Sequence, residues 1–178
     1  MCAVPLVAKV MAESVSINGV NANKVLVLTD TQCSDALSFG RYLSGQSFNS
    51  DLLAELQALD ARMEKGEYAS IIGLTRGSTR FLIEQYAHCH GYHISYEGEH
   101  AYDQKAIVHR LSGSPMVIDN LAAQLEASGE DWARQIASSV ELLCQSCTPN
   151  SVKEVSLAVQ SPVGATGHLV SWMLRKTV

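Results

Sequence analysis

Residues 24–44, KVLVLTDTQCSDALSFGRYLS, are the stretch that decides the fold of this chain. The apolar run 24–28 predicts a buried β-strand, and the capping residues 29–31 end it. A helix is predicted over 32–44, with Cys33 in its first turn. A strand followed directly by a helix is typical of proteins in which helices pack on a sheet.

Hydrophobic periodicity extends the prediction along the rest of the chain. It indicates helices at 4–15, 52–63 and 78–90, strands at 68–74 and 92–97, a short helix at 102–111, a strand or extended lead-in at 115–118, helices at 119–127 and 130–147, and strands at 152–160 and 168–176. The segment 68–97 has the length of a right-handed βαβ crossover, which implies a parallel strand pair. We therefore predict an α+β or mixed α/β fold: a single domain over residues 1–178, with helices packed on a mixed sheet, one βαβ unit and a C-terminal β-hairpin.

Length and composition bound the class of partner. With 178 residues, 47% of them hydrophobic and 17% charged, the chain can bury an ordinary globular core. Its formal net charge is −5, and no basic run is longer than Arg175-Lys176. Both observations argue against binding to a phosphate backbone. We expect a protein as substrate or partner, and no nucleic acid.

Cysteine usage indicates the compartment. Cysteines stand at positions 2, 33, 89, 144 and 147, an odd number without a regular framework. This pattern is typical of a reducing compartment, so we expect the cytoplasm, with export by a dedicated secretion apparatus still compatible. Residues 1–15 carry Lys9 inside an apolar run, which predicts an amphipathic helix and neither a signal peptide nor a membrane span.

Cys33 is the strongest candidate nucleophile in the sequence. A thiol at a helix start lies beside unpaired backbone N–H groups and the positive end of the helix dipole, and both favour the thiolate. A cysteine hydrolase also needs an imidazole within hydrogen-bond reach, commonly on a rigid strand. His168 opens the last predicted strand after a glycine-rich turn and meets that description. The alternative is that Cys33 is a small buried hydrophobe and His168 an ordinary turn residue.

The order of these features resembles a known family. A cysteine at a helix start, then helices, then Gly167-His168 followed by alternating apolar residues up to Trp172, is similar to the papain-like cysteine peptidases. Within them it most resembles the bacterial type III effector peptidases of the YopT kind and related effector deamidases. The resemblance implies that Cys33 is the nucleophile and His168 the general base, and that the backbone N–H groups of Cys33 and Gln32 face the oxyanion.

The third member of such a triad is missing from its expected place. In the family an Asp or Asn follows the histidine by about one further strand, whereas this chain ends shortly after His168. Either an acid comes from elsewhere, such as Asp119 or Asn120, or the site is a bare dyad. No cofactor or metal is expected for this chemistry.

A second, alternative function is binding of a nucleotide or phosphate. The turn from Gly73 to Thr79 lies between a predicted strand and a predicted helix, and glycine-rich turns of this layout deliver phosphate to a helix N-terminus. The candidate residues are Gly73, Arg76, Gly77, Ser78, Thr79 and, at the end of the next strand, Glu97. The competing interpretation is an ordinary turn in which Ser78 caps the helix.

Two further possibilities complete the set. His88, His90 and His93 together with Cys144 and Cys147 have the residue types of a zinc site, but the only Cys-x-x-Cys pair lies at a predicted helix end, so we predict no metal. Finally, the apolar face of the predicted helix 4–15 is compatible with a non-enzymatic subunit that docks on a partner.

Overall fold

A computed structural model describes residues 25–43, 46–48, 53–103, 106–128, 131–145, 151–160 and 167–177. The described strands are β1 (Val25–Asp30), β2 (Gln46–Phe48), β3 (Ser70–Thr75), β4 (Tyr92–Asp103), β5 (Ala106–Gly113), β6 (Lys153–Gln160) and β7 (His168–Lys176). The described helices are α1 (Ser34–Tyr42), α2 (Leu53–Glu64), α3 (Gly77–Cys89), α4 (Pro115–Ser128), α5 (Trp132–Ser138) and α6 (Val140–Gln145). The predicted helix at 4–15, together with Cys2 and Cys147, lies outside the described residues.

The strands form one mixed sheet in the order β2-β1-β3-β7-β4-β5-β6. β1 is parallel to both β2 and β3. β7 is antiparallel to its neighbours β3 and β4, and the pairs β4–β5 and β5–β6 are also antiparallel. The mixed α+β fold predicted from the sequence is therefore confirmed.

Each face of the sheet carries its own core. On one face α1, α4, α5 and α6 bury a cluster that includes Phe39, Leu121 and Trp132. On the other face α2 and α3 bury a second cluster, with Met63 and Ile83 among its members. Glycines end α2 and α3 as predicted, since Gly66 and Gly91 have positive φ values of 66° and 77° that favour glycine after a helix.

A βαβ unit with parallel, directly paired strands is present as predicted, but it is not the one that was predicted, because β3 pairs with β7 and not with β4. β1, α1 and β2 form a βαβ unit whose strands pair directly. β3, α3 and β4 were expected to form another such pair, and these strands do run parallel. However, β7 lies between them and bonds to both.

Two segments have a different secondary structure from the one predicted. The short helix predicted at 102–111 is wrong, because the described residues of this range, 102–103 and 106–111, belong to the antiparallel strands β4 and β5. Residues 115–118 form the first turn of α4 and not a strand or extended lead-in. Pro115 opens that helix, where its missing N–H costs no hydrogen bond, and the Ile118 N–H donates to the Ser114 carbonyl at 2.9 Å.

The last two strands lie where they were predicted, but they are not partners of each other. β6 pairs with β5 at the edge of the sheet, and this antiparallel pair takes the place of the expected one. β7 inserts into the middle of the sheet instead. Its burial explains the position, since every residue from Leu169 to Leu174 is buried, as both faces of a central strand require.

In the described ranges, no helix combines the length and the hydropathy that a membrane crossing needs.

Candidate active site

An open crevice lies at the carboxyl ends of β1 and β3. These strands are adjacent and parallel, but the helices that follow them go to opposite faces of the sheet. α1 packs in the core that contains Phe39, and α3 packs in the core that contains Ile83. Such a divergence leaves a gap beyond the strand ends, which is where parallel α/β sheets bind their ligands. The gap here is a cavity of about 420 Å³.

The crevice collects residues from distant parts of the chain. β7 runs antiparallel to β3, so its first residues arrive at the same edge as the last residues of β1 and β3. As a result Cys33 and His168 line one cavity. The full lining is Asp30, Gln32, Cys33, Ser34, Asp35, Arg76, Tyr102, Gly167, His168 and Leu169.

Cys33 is the N-cap residue of α1 and not a member of its first turn. Its backbone is extended, with φ −123° and ψ 126°, and its carbonyl accepts the first helical hydrogen bond from the Leu37 N–H at 3.0 Å. The half-buried side chain packs against the core on one side and lines the crevice on the other. The side chain makes no capping hydrogen bond to the N–H groups of the first turn of α1, which have no partner within the helix.

His168 is exposed at the start of β7. The residue before it, Gly167, has a φ of 135°, and its carbonyl accepts a hydrogen bond from the Tyr102 N–H at 3.0 Å. The His168 ring lines the crevice and also a smaller cavity of about 160 Å³, which Glu99 and Asp103 border. No hydrogen bond joins the Cys33 thiol to the His168 ring in the described part of the chain.

A buried carboxylate forms the floor of the crevice. Asp30 is only 3% exposed and accepts two hydrogen bonds, from the Gln32 backbone N–H at 2.9 Å and from Arg76 Nε at 2.7 Å. The pairing with Arg76 compensates the desolvation of this charge. Because the Gln32 N–H already bonds to Asp30, it is not available to an oxyanion, so the donors that remain are those of Cys33 and the first turn of α1.

Tyr102 connects the crevice to the core. Its hydroxyl donates to Asp35 Oδ2 at 2.6 Å and accepts from the Trp132 indole N–H at 3.0 Å. Burial, followed by the hydrogen bond to Asp35, raises the pKa of Tyr102 above its ordinary value, so the phenol is neutral. Tyr102 thereby ties the first turn of α1 to β4 and α5.

Behind Tyr102 lies a fully buried polar network, formed by Tyr96, His100, His109 and Ser171. The Nδ1 atoms of the two histidines are 2.7 Å apart, and His100 Nε2 is 2.7 Å from the Ser171 hydroxyl, which also contacts the Tyr96 hydroxyl at 2.8 Å. Both imidazole rings contact the Trp132 indole. Burial lowers the pKa of His109 to about 4 and that of His100 well below 6.5.

The residues proposed for phosphate binding are not collected in one place. Gly73 lies inside β3, where an added Cβ would be 2.4 Å from the Trp172 ring, so close packing explains this glycine. Gly77, Ser78 and Thr79 begin α3. Glu97 lies on the sheet face and pairs with Arg80 at 2.6 Å. Of the set, Arg76 alone lines the crevice among the described residues.

The candidates for a third catalytic residue lie elsewhere. Asp119 is exposed on α4 and forms an ion pair with Lys153. The neighbouring Asn120 accepts a hydrogen bond from Gln124 at 2.7 Å. Neither residue belongs to the described lining of the crevice.

The residues considered for zinc are also dispersed. Cys144 is buried, and burial raises its pKa to about 11. His90 contacts Asp60 at 2.7 Å, while the exposed rings of His88 and His93 touch each other. Within the described ranges, no group of three or more His, Cys, Asp or Glu side chains is arranged to hold a metal ion.

Comparison with other proteins gives no match. No family model, no curated protein and no solved structure matches this chain. The assignment of the site therefore depends on its geometry and on the chemistry of its side chains.

Sequence reasoning missed most of the polar residues around the crevice. Asp30 was interpreted as a cap, and Tyr102 was placed in a helix. A signal for Asp30 exists, because it is an acidic residue directly after an apolar strand, where side chains reach the carboxyl edge of a sheet. The contact with Arg76 had no signal in the sequence, since it joins residues from two different strand ends.

Proposed function

We propose that the chain is a cysteine-dependent hydrolase, a peptidase or amidase, that acts on a protein substrate in the crevice. The observation that carries the proposal is the meeting of Cys33 and His168 in one open cavity. Cys33 is the nucleophile and His168 the general base. An imidazole need not bond to the thiol before substrate arrives, because catalytic hydrogen bonds often tighten only in the substrate complex.

The reaction proceeds in two steps. His168 takes the proton of the Cys33 thiol, the sulfur attacks the carbonyl carbon, and the C–N bond breaks while His168 returns the proton to the departing nitrogen. Water then attacks the thioester, with His168 accepting its proton, and the acid product leaves with the thiol restored. N–H groups at the start of α1 face the oxyanion that forms in both steps.

Alkylation of the cysteines tests the nucleophile directly. We expect iodoacetamide to label Cys33 faster at pH 6–7 than the exposed Cys89, and the His168→Gln variant to lose this advantage. His93→Gln, at another exposed histidine, is the matched control and should leave the rate unchanged. Equal labelling of Cys33 and Cys89 over the whole pH range would contradict an activated thiol.

Hydrolysis is the second test. Release of peptides from labelled casein, and of ammonia from glutamine side chains, distinguishes a peptidase from a deamidase. Removal of the base typically costs a factor of about 10²–10⁴ in rate, so His168→Gln and Cys33→Ala should both abolish turnover. Cys89→Ala should retain it.

Arg76 favours a second candidate function, the binding of a phosphate-bearing ligand in the same crevice. Its guanidinium is 45% exposed, and the N-terminus of α1 lies across the cavity. Both groups are suited to anions. A thermal shift with millimolar ATP or inorganic phosphate that is absent in Arg76→Lys would support this function, and no shift in the native chain would exclude it at that concentration.

A further inference from the structure

We infer that the face of β4, β5 and β6 opposite α4, here called the open face, is a docking groove for a basic polypeptide segment that leads to the crevice. This inference rests on the proposed hydrolase function, because it names the class of substrate that the crevice receives. Four observations support it: an uncovered sheet face, cavities that connect it to His168, small side chains beside that residue, and the sign of the charge.

None of the described helices covers the open face, whereas described helices pack on the rest of the sheet. Helix α3 covers β7 and the first part of β4, and its cover ends where Arg80 pairs with Glu97. Beyond that contact, each residue of β6 that points away from the core is exposed, whereas its other residues are half-buried against the core. In the described part of the chain, four cross-strand rows therefore face outward: Glu97–Ser112–Glu154, Glu99–Arg110–Ser156, Ala101–Val108–Ala158 and Asp103–Ala106–Gln160.

Shared residues connect this face to the crevice. A groove on the open face has a volume of about 500 Å³, and Glu99 and Arg110 are among the residues that line it. The same two residues line the cavity of about 160 Å³ beside His168. His168 in turn lines the crevice with Cys33. The three cavities thus adjoin one another in a line from the open face to the crevice that holds the candidate nucleophile.

Small side chains line the connecting cavity beside His168. Ala101 is the register partner of His168 on β4, and Val108 is the register partner of Ala101 on β5. Both line the connecting cavity. Short side chains there leave space for the backbone of a peptide next to the imidazole.

The charge of the open face and of the connecting cavity determines which kind of peptide can bind there. Among the described lining residues there are four carboxylates and one guanidinium, and Arg80 beside the groove pairs with one of the carboxylates, so the net charge of the lining stays negative: the carboxylates are those of Glu97, Glu99, Asp103 and Glu154, and the guanidinium is that of Arg110. Glu99 and Arg110 are 3.6 Å apart, a weak exposed pair. An acidic peptide or a nucleic acid would meet net repulsion, whereas a segment that carries Lys or Arg gains complementary contacts.

Peptide binding by the catalytically inactive Cys33→Ala chain tests the groove. The probes are two fluorescein-labelled decapeptides, one of alternating Lys and Ala and one of alternating Glu and Ala, followed by fluorescence anisotropy in about 50 mM salt. We expect the basic peptide to bind at least about tenfold more tightly than the acidic one. Removal of two carboxylates in Glu99→Gln/Glu154→Gln should weaken its binding about five- to tenfold.

The control removes two carboxylates from other surfaces. Glu64→Gln/Glu126→Gln changes exposed residues of α2 and α4 by the same net charge and should alter binding by less than about twofold. Equal affinity for the two peptides, or an equal loss in the control pair, would overturn the inference. Binding of the basic peptide is measured without turnover, so preferential binding would support the docking groove even if the hydrolase assay showed no activity. Cys33-dependent hydrolysis with no preference for basic segments would refute the groove alone.

Discussion

The buried histidine pair predicts a specific loss of stability in acid. His100 and His109 face each other across β4 and β5, and their Nδ1 atoms share one proton at 2.7 Å. Burial disfavours a charge on either ring, and protonation of both rings would also break this hydrogen bond and place two like charges in the core. Both rings are therefore neutral in the folded state, whereas in the unfolded chain each titrates near its ordinary pKa of 6.5.

The sign and size of this pH dependence follow from the linkage between histidine protonation and folding. A histidine whose pKa is lowered by folding binds its proton more readily in the unfolded chain, so the free energy of unfolding falls as the pH falls below about 6.5. The gap between 6.5 and about 4 for His109 corresponds to about 3 kcal/mol, which is lost progressively down to pH 4. His100 adds to the loss, because its pKa is lowered in the same direction.

Urea unfolding at a series of pH values between about 7.5 and 4.5 measures the effect, with the free energy obtained by linear extrapolation. The variant His100→Gln/His109→Leu should be less stable at neutral pH but should show a flatter pH dependence. The control, His88→Gln/His93→Gln, removes two exposed histidines whose rings also touch and should keep the native slope. A native slope in the buried-pair variant would refute the reasoning.

A direct titration covers the case in which the buried-pair variant does not fold. In the native chain, the ring resonances of His100 and His109 should not shift between about pH 8 and 6. Movement of the buried-ring resonances near pH 6.5 would show that the pair is accessible to protons, which the burial of both residues does not allow.

Two further substitutions test the packing around the crevice. Gly73→Ala would place a Cβ 2.4 Å from the Trp172 ring, so we expect a loss of about 1–3 kcal/mol in chemical denaturation, whereas Gly77→Ala, with its nearest neighbour at 3.8 Å, should be within about 1 kcal/mol of the native chain. Tyr102→Phe removes the acceptor of the indole N–H on α5 and should cost about 1–3 kcal/mol, while Tyr42→Phe at a half-exposed ring should cost less than about 0.5 kcal/mol.

Local signals predicted the first half of the fold well. The end of α2 and the end of α3 are each marked by a glycine with positive φ, Gly66 and Gly91. These features depend on a few neighbouring residues, which is why the sequence alone contains them. The α+β class follows from the same alternation of strands and helices.

The β4–β5 region was not predictable because its buried positions break the usual pattern. Strand assignment relies on apolar residues at every second position, but here His100 and His109 occupy core positions. In addition, the register of β4 shifts between Ile94 and Tyr96, so the alternation changes phase within the strand. The buried histidines of the polar network therefore interrupt the apolar pattern by which these strand residues would have been predicted.

The order of the last two strands contained a signal that the hairpin prediction overlooked. β6 alternates between half-buried and exposed residues, as a strand with one solvated face does. The run from Leu169 to Leu174 is apolar except for Ser171 and is buried throughout, as expected of a central strand. Adjacency in sequence favoured a hairpin, but burial decides the position in the sheet.

The position of β7 in the sheet decides whether His168 can reach the same crevice as Cys33. In a β6–β7 hairpin at the edge of the sheet, β7 would be five strand positions from β1, a separation of about 24 Å. In the observed order only β3 lies between β1 and β7, so the two strands are about 10 Å apart. The Cys33–His168 pair is therefore a consequence of the inserted strand: the buried residues that place β7 in the middle of the sheet also bring its first residue to the crevice. A substitution that displaced β7 from the sheet would separate the pair even with both side chains intact.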